Sequence, residues 1–277
     1  FEGKVNILGE GLLDLTKLAG FPVFMDDKGR LSFGEGAVQV EPDVRKLKDA
    51  SSVLLYPDED GPEILYWMYR GAGLAKDQRA IADSSLRFDL TVLSPGTIGS
   101  EYVKTVGHYH PRVPGQPWSY PEVYQVLHGK AHFLLQRGGE VTGQVEDFAV
   151  AEFEAGDILL IPPFYGHVTV NPADGYLVMA NWICRDFSSS YEPIRLRKGV
   201  AYYDVEYKGQ SIFMPNESYE SHPKPRLIKP TDYPKLGLFR GQSMYTAWQN
   251  GADLGFLVKP SLQEDLWREM GLTPGGY

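Results

Sequence analysis

The sequence predicts an all-β fold, an antiparallel barrel or jelly roll with an N-terminal arm and a C-terminal extension. Three observations predict it. Strand-like runs recur at short intervals from Leu86 to Trp182. Turn residues separate them: Ser94-Pro95-Gly96, Pro114-Gly115, His128-Gly129-Lys130, Arg137-Gly138-Gly139, Ala155-Gly156-Asp157 and Asn171-Pro172. The chain also holds 30 Gly and 20 Pro in 277 residues, which favours many turns over long helices.

The elements follow in chain order. Residues 1–57 read as an arm of mixed structure. In it Leu12, Leu13, Leu15 and Leu18 suggest a helical turn or two ended by Gly20, and Pro42 to Leu47 a second short helix. Asp58 to Pro62 is a turn cluster. Ile64–Tyr69 is β-rich and stops at Gly71, and residues 72–85 are a loop or short helix. The predicted barrel strands are Phe88–Leu93, Glu101–Val106, Glu122–Leu127, Ala131–Gln136, Asp147–Phe153, Ile158–Ile161, His167–Asn171 and Tyr176–Trp182. A hairpin (Val200–Glu206, Gln210–Phe213) then leads into a Pro-rich stretch, and a helix over Leu262–Met270 starts from Ser261 as its cap. The predicted division is arm 1–60, barrel 61–191 and extension 192–277, the last packed on the barrel.

Net charge is −9, which argues against nucleic acid or an anionic membrane as main partner. A small anionic substrate stays open, since a few local donors hold a phosphate. Cys184 is the single cysteine and fits a reducing, cytoplasmic setting. No apolar run approaches the ~18 residues of a membrane span. Phe1 to Gly20 lacks the basic-then-apolar order of a secretory leader.

Six histidines are few enough for their placement to inform. His108 and His110 lie two apart on a predicted strand, so both imidazoles share one face. Glu122 opens the next strand and His167 begins a later one. Three imidazoles and a carboxylate suit Fe(II), Mn(II), Ni(II) or Zn(II). His128, His132 and His222 read as surface or packing residues. Tyr124, two past Glu122, shares its face.

The spacing His108-x-His110, eleven residues, Glu122, x6, Gly129, followed by Gly156-x5-Pro162-x4-His167-x3-Asn171, resembles the cupin superfamily. The eleven-residue spacer, with Pro111, Pro114, Gly115 and Pro117, is long for that pattern, and Phe164 stands where its second motif has an inner glycine. The wording of Leu90–Gly96, Lys104–Pro111, Pro121–Gly129, Leu134–Gln136 and Ile161–Asn171 is more specific. It resembles the cupin-type glucose-6-phosphate isomerases of archaea and some bacteria, over about residues 45–191.

That resemblance implies a double-stranded β-helix and one divalent ion per subunit, Fe(II) foremost, on His108, His110, Glu122 and His167. It implies a sugar-phosphate substrate, glycolytic or gluconeogenic work, and a phosphate held at Tyr66, Thr91, Thr105, Gly107 and Tyr191. Glu122 and Tyr124 are the implied catalytic pair, moving hydrogen between C1 and C2 through a cis-enediolate. A hydride shift needs the same ligands and no base. Compact members carry a Tyr and a later His after the last ligand, where Trp182 and Ser188 stand here, with Arg185 and Asp186 nearby. A homodimer is the implied assembly. The competing readings are another metal-dependent cupin enzyme (a dioxygenase or other sugar isomerase) and a non-enzymatic sugar-phosphate-binding cupin.

Overall fold

The structure, a computed structural model, describes residues 11–275. The first ten residues of the predicted arm, and half of the stretch read for a leader, lie outside the described residues.

Strands come in chain order as β1 (Leu13–Asp14), β2 (Val23–Met25), β3 (Leu31–Phe33), β4 (Asp43–Lys46), β5 (Ile64–Arg70), β6 (Leu86–Leu93), β7 (Thr97–Ile98), β8 (Glu101–Tyr102), β9 (Glu122–His128), β10 (Lys130–Gly138), β11 (Val145–Glu154), β12 (Ile158–Ile161), β13 (Tyr165–Val170), β14 (Leu177–Cys184), β15 (Tyr202–Tyr207), β16 (Gln210–Pro215) and β17 (Arg226–Ile228). The helices are short: α1 (Thr16–Ala19), α2 (Leu47–Ala50), α3 (Gln78–Asp83), α4 (Glu192–Leu196), α5 (Met244–Gln249) and α6 (Glu264–Glu269). Among the described residues no helix is long and apolar enough to cross a membrane.

Two sheets build the barrel. One runs β12-β9-β14-β6-β5-β4 and the other β13-β10-β11-β17. From β9 to β14 the chain passes back and forth between them: β9 in the first, β10 and β11 in the second, β12 back, β13 across, β14 back. That winding is the double-stranded β-helix of a cupin jelly roll. The inner faces interdigitate, with Tyr124 of β9 packed on Phe133 of β10 at 5.5 Å between ring centroids. All eight residues of β14 are buried, because the C-terminal segment covers its outer face. A strand buried on both sides reads as a near-continuous apolar run, as Leu177–Cys184 does apart from Asn181.

Both flanking segments lend strands to these sheets. The expected helix at Pro42–Leu47 is instead β4, which pairs antiparallel with β5 through Asp43↔Met68 and Val44↔Trp67. Only Leu47–Ala50 is helical. Pairing with a strand that otherwise leaves an open edge outweighs the local signal of Pro42. From the tail, β17 adds parallel to β11, whereas the hairpin β15–β16 pairs with β8 in a separate four-stranded sheet, β16-β15-β8-β7. Its turn, Lys208-Gly209, has φ of +53° and +77°, the left-handed pair that suits a two-residue hairpin.

Three further expectations change. Of the leucines near residue 13, Leu13 is in β1 and Leu18 in α1, with Leu15 at the helix N-cap, and Gly20 ends the helix at φ +86° as expected. The run Glu101–Val106 is a strand only over Glu101–Tyr102. Beyond it the backbone makes single bridges, among them Lys104↔Val170 and His108↔His167. Gly107 at φ +79° breaks the ladder there, so the His-x-His pair does not lie on a regular strand. The last helix spans only Glu264–Glu269 and follows a 3₁₀ turn, Pro260–Gln263. No side chain caps it, Ser261 included.

Candidate metal centre

The four predicted ligands meet. Glu122 opens β9, and His167 lies on β13 of the opposite sheet. A pair of backbone hydrogen bonds ties His108 to His167: His108 N–H donates to the His167 carbonyl at 3.3 Å, and His167 N–H returns one at 3.0 Å. This sets the His-x-His segment beside β13 without a regular strand. His108 Nε2 and His110 Nε2 are 3.0 Å apart. Glu122 Oε2 lies 3.4 Å from His110 Nε2 and 3.2 Å from His167 Nε2. All four donor atoms fall within 4.8 Å of one another.

The cluster fits a cation. Ligands at roughly 2.1 Å from one ion sit about 3.0–3.4 Å apart at tetrahedral or right-angle positions, and three of the separations match. Glu122 Oε2 and His167 Nε2 are buried, and neither completes a hydrogen bond. An unsatisfied buried polar atom costs about 1–3 kcal/mol, so a shared ion is the natural partner for both. His110 Nδ1 lies 2.9 Å from the Tyr120 carbonyl, which only accepts. Nδ1 therefore carries the proton, and Nε2 is left with its lone pair toward the cluster.

Electrostatics agree. Burial pushes His108 well below the ordinary imidazole value, and the neighbouring His167 and His110 add to it. Burial likewise lowers His110, to about 4, although the Glu122 carboxylate pulls the other way. Imidazoles held neutral are ready ligands. Tyr124 is pushed well above the ordinary phenol value by burial, then by the charge of Glu122 and the hydrogen bond between them.

The long spacer before Glu122 takes part. It folds back on itself, with Val113 N–H donating to the Trp118 carbonyl and Tyr120 N–H to that of Pro111. Besides anchoring His110 it holds Phe164, whose φ is +73°. The Phe164 N–H donates to Ser119 Oγ at 2.6 Å, and its ring stacks on Trp118. The motif's glycine position thus keeps a left-handed backbone with a bulky residue in it, held by the loop it faces.

Of the predicted substrate residues, Thr91 and Tyr191 line one cavity with His108, Glu122 and Tyr124. The Tyr191 ring lies 5.3 Å from that of His108. Tyr66, Thr105 and Gly107 are not among its lining residues. The Tyr66 hydroxyl accepts from Val106 N–H, and the Thr105 hydroxyl from Thr169 N–H. His132 pairs with Asp204 and His222 bonds the Asn216 carbonyl, so both stay outside the cluster.

The comparison of Trp182 with a catalytic Tyr is corrected. Trp182 points away from the cavity and donates through Nε1 to the Met244 carbonyl. On β14 the lining residues are Asn181 and Ile183, and beyond it Ser189 rather than Ser188. Arg185 and Asp186 do not line the cavity either, whereas Arg70, Arg87 and Asp89 do. Sequence reasoning missed these. The available signal was a polar residue inside an apolar strand run, Asp89 in β6 and Asn181 in β14.

Relatives point the same way. A family model described as "Glucose-6-phosphate isomerase (GPI)" matches residues 44–221. A glucose-6-phosphate isomerase of Thermococcus litoralis is 28% identical over 197 residues, covering 69% of this chain and 94% of that one. One from Pyrococcus furiosus is 29% identical over 138 residues, covering 50% of this chain and 67% of that one. Among solved structures, oxalate decarboxylase from Bacillus subtilis aligns at TM-score 0.31 and 20% identity, over 45% of this chain and 27% of that one. So low a score carries no weight, and the fold rests on the strand order above. With the family match covering well over half its length, the chain belongs to the glucose-6-phosphate isomerase family of enzymes.

Proposed function

We propose that the chain interconverts glucose 6-phosphate and fructose 6-phosphate at one divalent ion held by His108, His110, Glu122 and His167. Fe(II) is the foremost candidate, with Mn(II), Ni(II) and Zn(II) behind it. The observation that carries this reading is the buried ligand cluster, with Glu122 Oε2 and His167 Nε2 left without partners, in a chain of this family. An imidazole binds an ion through its neutral form, so three such ligands and one carboxylate offset only one of a divalent ion's two charges, and the centre is net positive. Such an ion polarises a carbonyl and stabilises negative charge on adjacent oxygens.

The chain's own groups supply the rest. Glu122 stands at the cavity wall to move the proton between C1 and C2. Tyr124 keeps its proton and stays a hydrogen-bond donor to that carboxylate. Thr91 and Tyr191 face the cavity as phosphate-holding hydroxyls, backed by Tyr66, Thr105 and the Gly107 backbone. Residues 61–191 carry the chemistry in this reading, with 1–60 and 192–277 as its covering. The working form is a cytoplasmic homodimer, which light scattering checks.

The test is turnover of fructose 6-phosphate by metal-stripped protein reloaded with each ion, run beside an oxygen electrode. Conversion restored by an ion without oxygen uptake supports the isomerase. Oxygen uptake without isomerisation points to the dioxygenase reading. Phosphate-ester binding without turnover in any ion points to the non-enzymatic binder.

A further inference from the structure

An amide inside a barrel strand is costly unless it makes its hydrogen bonds. Asn181 lies in the middle of β14, among Leu177, Val178, Met179, Ala180, Trp182, Ile183 and Cys184. Its register sets it beside Asp89 on one neighbouring strand and Tyr124 on the other. Its Nδ2 donates to Glu122 Oε1 at 2.7 Å, in buried surroundings. Tyr124 also bonds the same carboxylate. The two oxygens of Glu122 are therefore unlike: Oε1 is held by the protein, and Oε2 faces His110 and His167 without a hydrogen bond.

We infer that Asn181 is a positioning residue that fixes the rotation of the Glu122 carboxylate, so that Oε2 joins the three histidine nitrogens. The inference rests on the proposed metal site and deepens it. The terminal torsion of a Glu side chain is broad and roughly two-fold, so nothing intrinsic selects which oxygen points at the cluster. A donor aimed at one oxygen makes that selection. Only the amide nitrogen serves, because a carboxylate accepts and does not donate. Outer-shell partners of this kind typically set metal affinity or activity by about 10–100-fold.

The test uses the whole chain, stripped of metal and titrated with Co(II) while its visible absorption bands are followed. Asn181→Leu keeps the size of the side chain and removes the donor. Asn181→Ser is a smaller replacement that is too short to reach Oε1, and it stands in should Leu disturb folding. Both are expected to keep the wild-type circular dichroism and to bind Co(II) about 10–100-fold more weakly, with shifted bands. kcat for fructose 6-phosphate should fall by a similar factor while KM stays put, a split that a purely packing role does not produce. Wild-type Co(II) affinity, bands and kcat in the folded variants would overturn the positioning role and leave the metal site standing. Failure of the wild-type chain itself to take up Co(II) would overturn the site beneath it.

Discussion

The Trp182 indole stacks on the Tyr245 ring, 5.8 Å between centroids and 16° from parallel. Phe88 and Trp248 close the cluster at 4.8 and 5.4 Å from Trp182. These contacts clasp α5 to the outer face of β14, on the side away from the ligand cluster. Trp182→Phe should therefore cost about 1–3 kcal/mol of stability through lost packing and the lost bond to Met244. Metal content and kcat should stay near wild type. Urea midpoints and steady-state kinetics on one preparation check both halves. A large fall in kcat with unchanged stability would return Trp182 to the active site.

Gly107 joins the backbone to the ligands. At φ +79°, a Cβ there would sit 2.4 Å from Val168 Cγ2 and 3.1 Å from the His167 carbonyl. Gly107→Ala adds left-handed strain of about 1–2 kcal/mol to an overpacking cost of about 1–3 kcal/mol. Because the clash lies against His167 and next to His108, Co(II) binding should weaken as well. Unfolding and titration curves of the variant read both effects, and wild-type values in each would show that the backbone there tolerates a side chain.

Stability of the metal-free protein should depend on pH in a definite direction. His110 in the folded chain takes a proton only near about pH 4, whereas an unfolded histidine does so near about 6.5. Between those values the unfolded chain binds more protons, so stability is full above about pH 6.5 and falls as pH drops toward 4. Each unit is worth at most about 1.4 kcal/mol per histidine. Urea unfolding at pH 7 and pH 5 measures the slope. His110→Gln should make it shallower, with the share of His108 remaining, and an unchanged slope would mean that this imidazole is not held neutral.

The meeting of His108, His110, Glu122 and His167 was legible because its signal is local. His108 and His110 stand two apart and converge as their spacing suggests, although the bridge to His167 rather than a regular strand aligns them, and turn residues mark the strands that carry Glu122 and His167. What escaped depends on register and on distant pairing. On β14 a one-residue shift exchanges Asn181 for Trp182 at the cavity, and the pairing with β9 slips between Val178 and Met179. Counting along the sequence cannot place that irregularity. The strand β4 was missed because its evidence lies on β5, about twenty residues away. The left-handed backbone at Phe164 was hidden because its support, Trp118 and Ser119, comes from a loop with no pattern of its own.

The most direct measurement of the central claim compares wild-type chain and His110→Ala, each reconstituted with Fe(II), for bound metal per chain and turnover of fructose 6-phosphate. The account predicts one ion per wild-type chain with isomerase activity. In the variant it predicts loss of the ion and a fall in turnover of at least about 100-fold. A His110→Ala protein that keeps its metal and its full isomerase activity would contradict it.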